Sequence, residues 1–400
     1  MATYIIGYLL IILVVAFVVF VELVGHKVIF VNNARIQTIF GHPLLRYSLR
    51  RIGSAIISIL LAITATFFLI RFKVDANGGL DFCKKVVTNW DKMNETIAWA
   101  QCAATKANLG ITENWFVDLF TYFFNILPFP KTICVSSFES VVDEITGSVQ
   151  YYEVLTGCRT TVMYLGRAFF ITAANGEFVT DVIFSKMGVS FEVGIIAVLV
   201  EIFLGYPMGM MMARRKDGIF DRIGNAYIIS IDAIPGVAYY YIWMVILCTL
   251  IGLPRKYEAG NFMTLLAPAL TMGFTGMAGI ALWVRRYMLD EFNSDYVKFA
   301  RSKGLSENRI LAVHILRNAI VPLVRSIPAA VLGALLGTFY LEKIYVIPGV
   351  GGLLVDANDR SDFYVLQGII IVSALISVVS YLLGDIVTAV IDPRISFSKE

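Results

Sequence analysis

Seven stretches of the chain, roughly 3–24, 52–72, 191–212, 223–251, 263–284, 319–341 and 365–390, carry little charge over their whole length. Each reaches the ~20 residues that a helix needs to cross the hydrocarbon core of a bilayer. Nothing else in the sequence narrows the fold as far, because in lipid every backbone polar group must be bonded inside its own segment, so the stretches are predicted as helices. Composition points the same way. Hydrophobic residues make up 58% and charged residues 16%, against about 45–50% and about 25% in soluble domains. The opening run "MATYIIGYLLIILVVAFVVFVELVG" (1–25) has no basic start and no small-x-small cleavage site. It also exceeds the roughly 7–15 residues of a signal-peptide core and is read as a retained span.

Short-loop lysines and arginines set the orientation. Arg46, Arg50 and Arg51 precede the second span, and Arg214, Arg215, Lys216 and Arg222 follow the third. A third group, from Arg285 and Arg286 to Arg317, follows the fifth, and Arg394 and Lys399 follow the last. All fall on one face if the chain starts outside, so the N-terminus is predicted outside and the C-terminus in the cytoplasm of a multi-pass plasma-membrane protein. The net charge of +3 is small and its basic residues are scattered over short loops, which gives nucleic-acid binding no support.

The same alternation puts residues 73–177 outside. From 73 to 187 there are nine Lys/Arg and twelve Asp/Glu, so the segment faces water, while the aromatic run "WFVDLFTYFFNILPF" (115–129) supplies a small core. A folded extracellular domain is expected. Cys83, Cys102, Cys134 and Cys158 lie in it, in a compartment that permits disulfides. Two bridges allow three pairings, and four free thiols are the alternative. Residues 178–187 place Phe178, Val182, Ile183 and Met187 at helical spacing, read as a helix on the outer membrane surface or an ordinary helix of the extracellular domain.

After Arg286 more than thirty residues precede the next span. In "SDYVKFARSKGLSENRILAVHILRNAIVP" (294–322) Ser294 is placed to cap one helix, Gly304 to end it with a positive φ, and Ser306 to cap a second. Such an element either rests on lipid headgroups through its basic residues or presents a knob to a soluble partner through its apolar ones. Physical chemistry alone leaves the two readings even.

The stretch resembles the EAA loop of importer permeases of the ATP-binding-cassette class, in the form seen in bacterial dipeptide and oligopeptide permeases. Ala300, Lys303, Gly304 and Leu305 match its first half, and His314, Leu316, Arg317, Asn318, Ala319 and Pro322 its second. Two other stretches agree. Residues 345–395, with Ile347, Pro348, Gly349, Gly351, Asp362, Tyr364, Gln367, Asp392, Pro393 and Arg394, look like the family's carboxy end. Residues 44–72 are similar to the opening span of the first (B-type) permease subunit. The likeness covers about 44–72 and 178–395 and leaves the first span and the insertion unaccounted for.

The resemblance implies an all-α membrane protein with a type I importer permease core of six transmembrane helices. To these the sequence adds an N-terminal helix and linker (1–43) and the inserted extracellular domain (73–177), so that the core comprises 44–72 and 178–395. It implies a heterodimer with a second permease subunit, two ATP-binding subunits, an extracellular solute-binding protein, and a peptide as substrate. Residues at about 290–318 then form the coupling element, with Ala300, Lys303, Gly304, Leu305, Arg309, His314 and Arg317 meeting the ATPase. No Gly-x4-Gly-Lys-Ser/Thr loop is present, so no cofactor is expected on this chain and ATP is used by its partners. The rival reading from another class is a membrane receptor with an external ligand-binding domain.

Charges inside the spans are costly and usually face a cavity or a partner. Glu201 and Asp232 are therefore candidates to line the pathway, against a plain reading as carboxyls bonded between helices. Arg325 is read as snorkelling to the cytoplasmic edge and Asp385 as bonding loop backbone. Gly205 with Gly209, and Gly333 with Gly337, allow close helix packing, either within this chain or at the seam with a second permease. The three histidines, His26, His42 and His314, show no metal-ligand spacing, no catalytic set is found, and the chain is read as non-enzymatic.

Overall fold

A computed structural model describes residues 43–391, apart from 88–89, 93, 109–110, 113, 143–148, 169–175 and 361. The expected N-terminal span, Glu22, His26, His42 and the carboxy-terminal Asp392, Pro393, Arg394 and Lys399 lie outside the described residues. The chain forms two compact units, Met1–Val182 with Arg360–Ala374, and Ile183–Asp359 with Leu375–Glu400.

The first described element of the first unit is a helix, Pro43–Asp75, whose apolar stretch is Ile56–Phe72. Short helices follow at Leu80–Val86, Glu95–Asn108 and Trp115–Ile126. Val74, Phe82, Cys83, Val87, Ala98 and Cys102 form a small buried cluster, in which Cys83 is bridged to Cys102. A closed loop of that size contributes about 3 kcal/mol in the chain-entropy account. The expectation of an all-α chain needs one correction. Lys131–Val142 and Val149–Thr161 pair as antiparallel strands, with Cys134 directly opposite Cys158 and bridged to it. Val, Ile, Thr and Tyr supply 12 of these 25 residues, and such residues fit a pleated surface better than a helix.

In the second unit the apolar stretches form helices with breaks that the sequence reading drew as continuous. Val179–Arg214 is one 36-residue helix, ~54 Å long at 1.5 Å per residue. Residues 179–187 are its opening turns and not a separate surface helix, with Val182, Ile183 and Met187 buried. The expected span 223–251 is two helices, Ile219–Ala233 and Gly236–Leu250, bent by 114°. The cause is local: a residue before proline is pushed out of the helical region, and Ile234, before Pro235, is extended at φ −89°, ψ 131°. Met263–Phe292 is a 30-residue helix that runs beyond the expected boundary at 284.

The stretch 319–341 is also interrupted. Pro322 and Pro328 each open a short segment, Val321–Val324 and Ile327–Gly333, since a proline's missing amide costs least in a first turn. Gly337 then takes φ 65°, ψ −169°, a region closed to other residues, and Phe339–Ile344 follows. Phe363–Ile391 is the last long helix, with residues up to Ala374 in the first unit and the rest in the second. Among the described residues four segments are long and apolar enough to cross a membrane, or five if the bent pair is one span.

Candidate functional site

The segment after Phe292 folds as its sequence dictates. Asp295–Ser302 is a helix with Asp295 in the first turn and Arg301 in the last, each sign suited to the helix dipole at its end. Gly304 stands at φ +77°. Its amide donates to the Arg301 carbonyl at 2.9 Å and the Leu305 amide to the Ala300 carbonyl at 3.3 Å, the paired bonds of a Schellman ending. Ala300, Gly304 and Leu305 thus belong to one motif. Beyond it Glu307–Arg309 is a short helical turn, Ile310–Ile315 is wound as a π-helix and Leu316–Ala319 closes the element. Ser294 and Ser306 stand at the N-caps, but neither side chain caps its helix; the Ser294 hydroxyl donates to the Glu291 carbonyl instead.

Two contacts hold the turn. Arg301 Nε donates to Glu307 Oε1 at 2.8 Å and Nη2 to Oε2 at 3.3 Å, a clip across residues 302–306. Arg214 Nη2 donates to Asn308 Oδ1 at 2.9 Å, which joins the element to the end of Val179–Arg214. The Arg301 guanidinium holds the Glu307 carboxyl below its usual range, and Lys298 does the same for Asp295.

The inner face of the element is packed. Val297, Ala300, Ile310, Ile315 and Ala319 are buried with Ala213, Val284 and Met288. The outer face is Phe299, Lys303, Gly304 and Arg309, all exposed, with Lys303 Nζ 4.4 Å from the centre of the Phe299 ring. Of the seven sequence candidates, Ala300 is in the core, Leu305 and His314 are half-buried, and Lys303, Gly304, Arg309 and Arg317 are exposed. An amphipathic knob with a basic, aromatic outer face can be gripped from outside, and it carries no group arranged for bond-breaking chemistry.

A bidentate pair braces the neighbouring turn. Arg285 reaches the buried Asp221 carboxylate at 2.6 and 2.8 Å, and Asp221 also accepts from the Asp217 amide at 2.9 Å and Asn225 Nδ2 at 3.0 Å. The sequence reading missed this pair, although an acid one residue from an arginine in a short basic loop was the available signal.

The candidate pathway residues stand on different helices, Glu201 on Val179–Arg214 and Asp232 on Ile219–Ala233. Asp232 is exposed, just before the 114° bend. Glu201 is half-buried in Val179–Arg214, its carboxyl lying against the bare face of Gly276. Arg325 and Asp385, read separately from sequence, are ion-paired with each other at 2.8 Å. Side chains at Gly205 and Gly209 would collide with Ile280 and Val284 of Met263–Phe292, so this pair of glycines packs helices within the chain. Gly333 has open space around it and Gly337 serves a turn, so this second pair does not bring two helices together within the chain.

A second cluster was missed altogether. Glu342, 2% exposed, accepts from Ser190 Oγ at 2.8 Å and from the Gly352 amide at 2.8 Å. Ser190 Oγ in turn accepts from the Val350 amide at 2.9 Å. Among the described residues no three His, Cys, Asp or Glu side chains converge to hold a metal ion.

Residues 205–397 match the model of a family described as "Binding-protein-dependent transport system inner membrane component". The oligopeptide transport system permease protein AmiC of Streptococcus pneumoniae serotype 4 is 38% identical over 210 residues, covering 52% of this chain and 42% of AmiC. The chain therefore matches less than half the length of that relative. The dipeptide transport system permease protein DppB of Lactococcus lactis subsp. cremoris is 34% identical over 217 residues, covering 54% of this chain and 72% of DppB. Among solved structures, the crystal structure of an amino acid ABC transporter with histidines aligns with 54% of this chain and 94% of its own at TM-score 0.37 and 14% identity, too distant a likeness to argue from.

Proposed function

Because the chain belongs to the family of binding-protein-dependent transport system inner membrane components, we propose that it is the permease subunit of an ATP-driven peptide importer. In this reading it forms half of the translocation pathway, pairs with a second permease chain and receives peptide from an external binding protein. The core has six spans, made of 44–72 and the helices from 179 onward, with the inserted segment 73–177 outside and the C-terminus in the cytoplasm. An additional N-terminal span precedes them. The chain hydrolyses nothing itself.

The observation that carries the reading is the element at 295–319, which lies inside the matched region and presents an exposed turn on a packed base. Its role is mechanical. Closure of two ATP-bound partner subunits displaces the knob, and its base passes the movement to Val179–Arg214 and Met263–Phe292, which meet it in one core. Asp232, exposed beside the bend, is the pathway residue we favour, as a partner for a peptide's ammonium group, and Asp232→Asn should then lower uptake or change selectivity.

Affinity purification through this chain tests the proposal. Recovery of a second permease and of ATP-binding chains is expected, together with ATP-dependent uptake of peptide after reconstitution. Recovery of neither would leave a receptor, which has no use for an ATPase, as the better account.

A further inference from the structure

The helix Trp115–Ile126 has its polarity inside out. Its one charged residue, Asp118, is turned inward and buried, and bonds Arg71 Nη1 at 3.0 Å, the Thr112 amide at 2.9 Å and Thr112 Oγ1 at 2.6 Å. The outer side carries Phe116, Val117 and Phe120, between 48% and 68% exposed, with Phe123 half-exposed one turn on. A helix bathed in water shows the opposite arrangement, and one that is apolar all round faces a core or lipid. Twelve residues are ~18 Å of helix, too short to span a bilayer and of the length of an interfacial segment.

The ends of the helix are closed by the protein itself. The Asn114 side chain accepts from the amides of Phe116 and Val117 at 3.1 and 3.3 Å. At the other end the Lys131 ammonium, itself buried, donates to the carbonyls of Phe124, Asn125 and Leu127 at 2.6, 2.6 and 2.9 Å. An Asn cap is common to helices in any medium, but the buried Lys131 bonds meet the requirement that a helix in an apolar medium satisfy its terminal carbonyls internally.

The apolar face is also continuous with another. Trp115 packs edge-on against Phe72 at 5.1 Å between ring centres and lies 6.1 Å from Phe68. Both phenylalanines belong to the last turns of Pro43–Asp75, where Leu69 and Phe72 are exposed, as is Leu61 nearer the middle of the helix. If 52–72 spans the membrane, as proposed above, that exposed side meets acyl chains, and the new helix prolongs it at the level where aromatic residues gather.

We propose that Trp115–Ile126 lies in the outer leaflet, with Phe116, Val117 and Phe120 among the lipids, and that it anchors the inserted segment to the membrane surface beside the first core span. The inference rests on the reading of 52–72 as a span and of 73–177 as external. The anchor would hold the insertion close to the bilayer, so that it does not stand free in water.

Nitroxide labels test it in the full chain, carrying Cys248→Ser and purified with its copurifying subunits into phosphatidylethanolamine–phosphatidylglycerol nanodiscs. Phe120→Cys is compared with Leu61→Cys in the span and Glu95→Cys on the water-exposed side of the insertion. The ratio of oxygen to nickel-chelate collision rates at 120 should approach that at 61 and stand well above that at 95. A lipid-like 61 with a water-like 120 overturns the anchor and leaves the span. A lipid-like 61 with a 120 shielded from both reagents overturns it too, since another protein then covers the face. A 61 that is not lipid-like removes the span reading and the inference with it.

Discussion

Gly304 and Gly337 both take positive φ, +77° and +65°, yet a methyl group added to each would meet different surroundings. At Gly304 nothing lies within 4 Å, with Lys303 before it exposed and Leu305 after it half-buried. At Gly337 it would overlap the Glu342 carboxylate and lie 2.9 Å from Ser190 Oγ. The first turn is held by its own backbone and a surface clip and is open to a partner. The second is closed on itself around a buried carboxylate that is bonded to a serine 152 residues away. A glycine at positive φ therefore marks a handle in one place and a lock in the other.

If that contrast is right, the two turns fail differently. The largest effect is expected at the lock. Glu342→Ala strands the Ser190 hydroxyl and the Gly352 amide, each worth about 1–3 kcal/mol when buried without a partner. Thermal unfolding in detergent should show a stability loss of roughly 2–6 kcal/mol, and an unchanged melting temperature would mean that the carboxylate holds nothing. Next comes Gly337→Ala, where a backbone conformation reserved for glycine costs about 1–3 kcal/mol. Because both changes strike one cluster, the double variant should lose less than the two single losses added together. Strict additivity would separate the turn from the carboxylate.

The smallest effect is expected at the clip over the handle. The Glu307 carboxyl is held below its ordinary 4.5 by Arg301, so the clip contributes fully above that value and is lost as the pH falls through the lowered one. Hydrogen-exchange protection at 302–306 should fall on acidification, and Arg301→Gln should flatten that dependence. A profile indifferent to the substitution would assign the protection to the Schellman bonds alone.

Local chemistry made the handle readable. Gly304 between two amphipathic stretches specifies a helix, a turn and a helix, and the structure has them. What the sequence misplaced there is finer: Ser294 and Ser306 occupy cap positions without capping, and the Ser294 hydroxyl bonds the preceding turn at Glu291 instead. The bend after Ala233 was also within reach, since Ile234 precedes a proline, but a continuous hydropathy run hid it. The lock was not legible. Ser190 and Glu342 meet only once the chain has folded, and a lone carboxyl near a span end has no local partner to announce it. The strands Lys131–Val142 and Val149–Thr161 were not drawn, because the insertion was read only for its charge, its cysteines and the aromatic run at 115–129.

The claim that the open turn is the part of the chain on which an ATPase acts is tested most directly by peptide uptake at Gly304. In the reconstituted complex Gly304→Asn, which tolerates positive φ, should stay near wild type. Gly304→Val should leave the chain folded and inserted while ATP-dependent uptake falls about five- to thirtyfold, the equivalent of the ~1–2 kcal/mol needed to hold a side chain in that conformation. Normal uptake by the Gly304→Val protein would contradict the account.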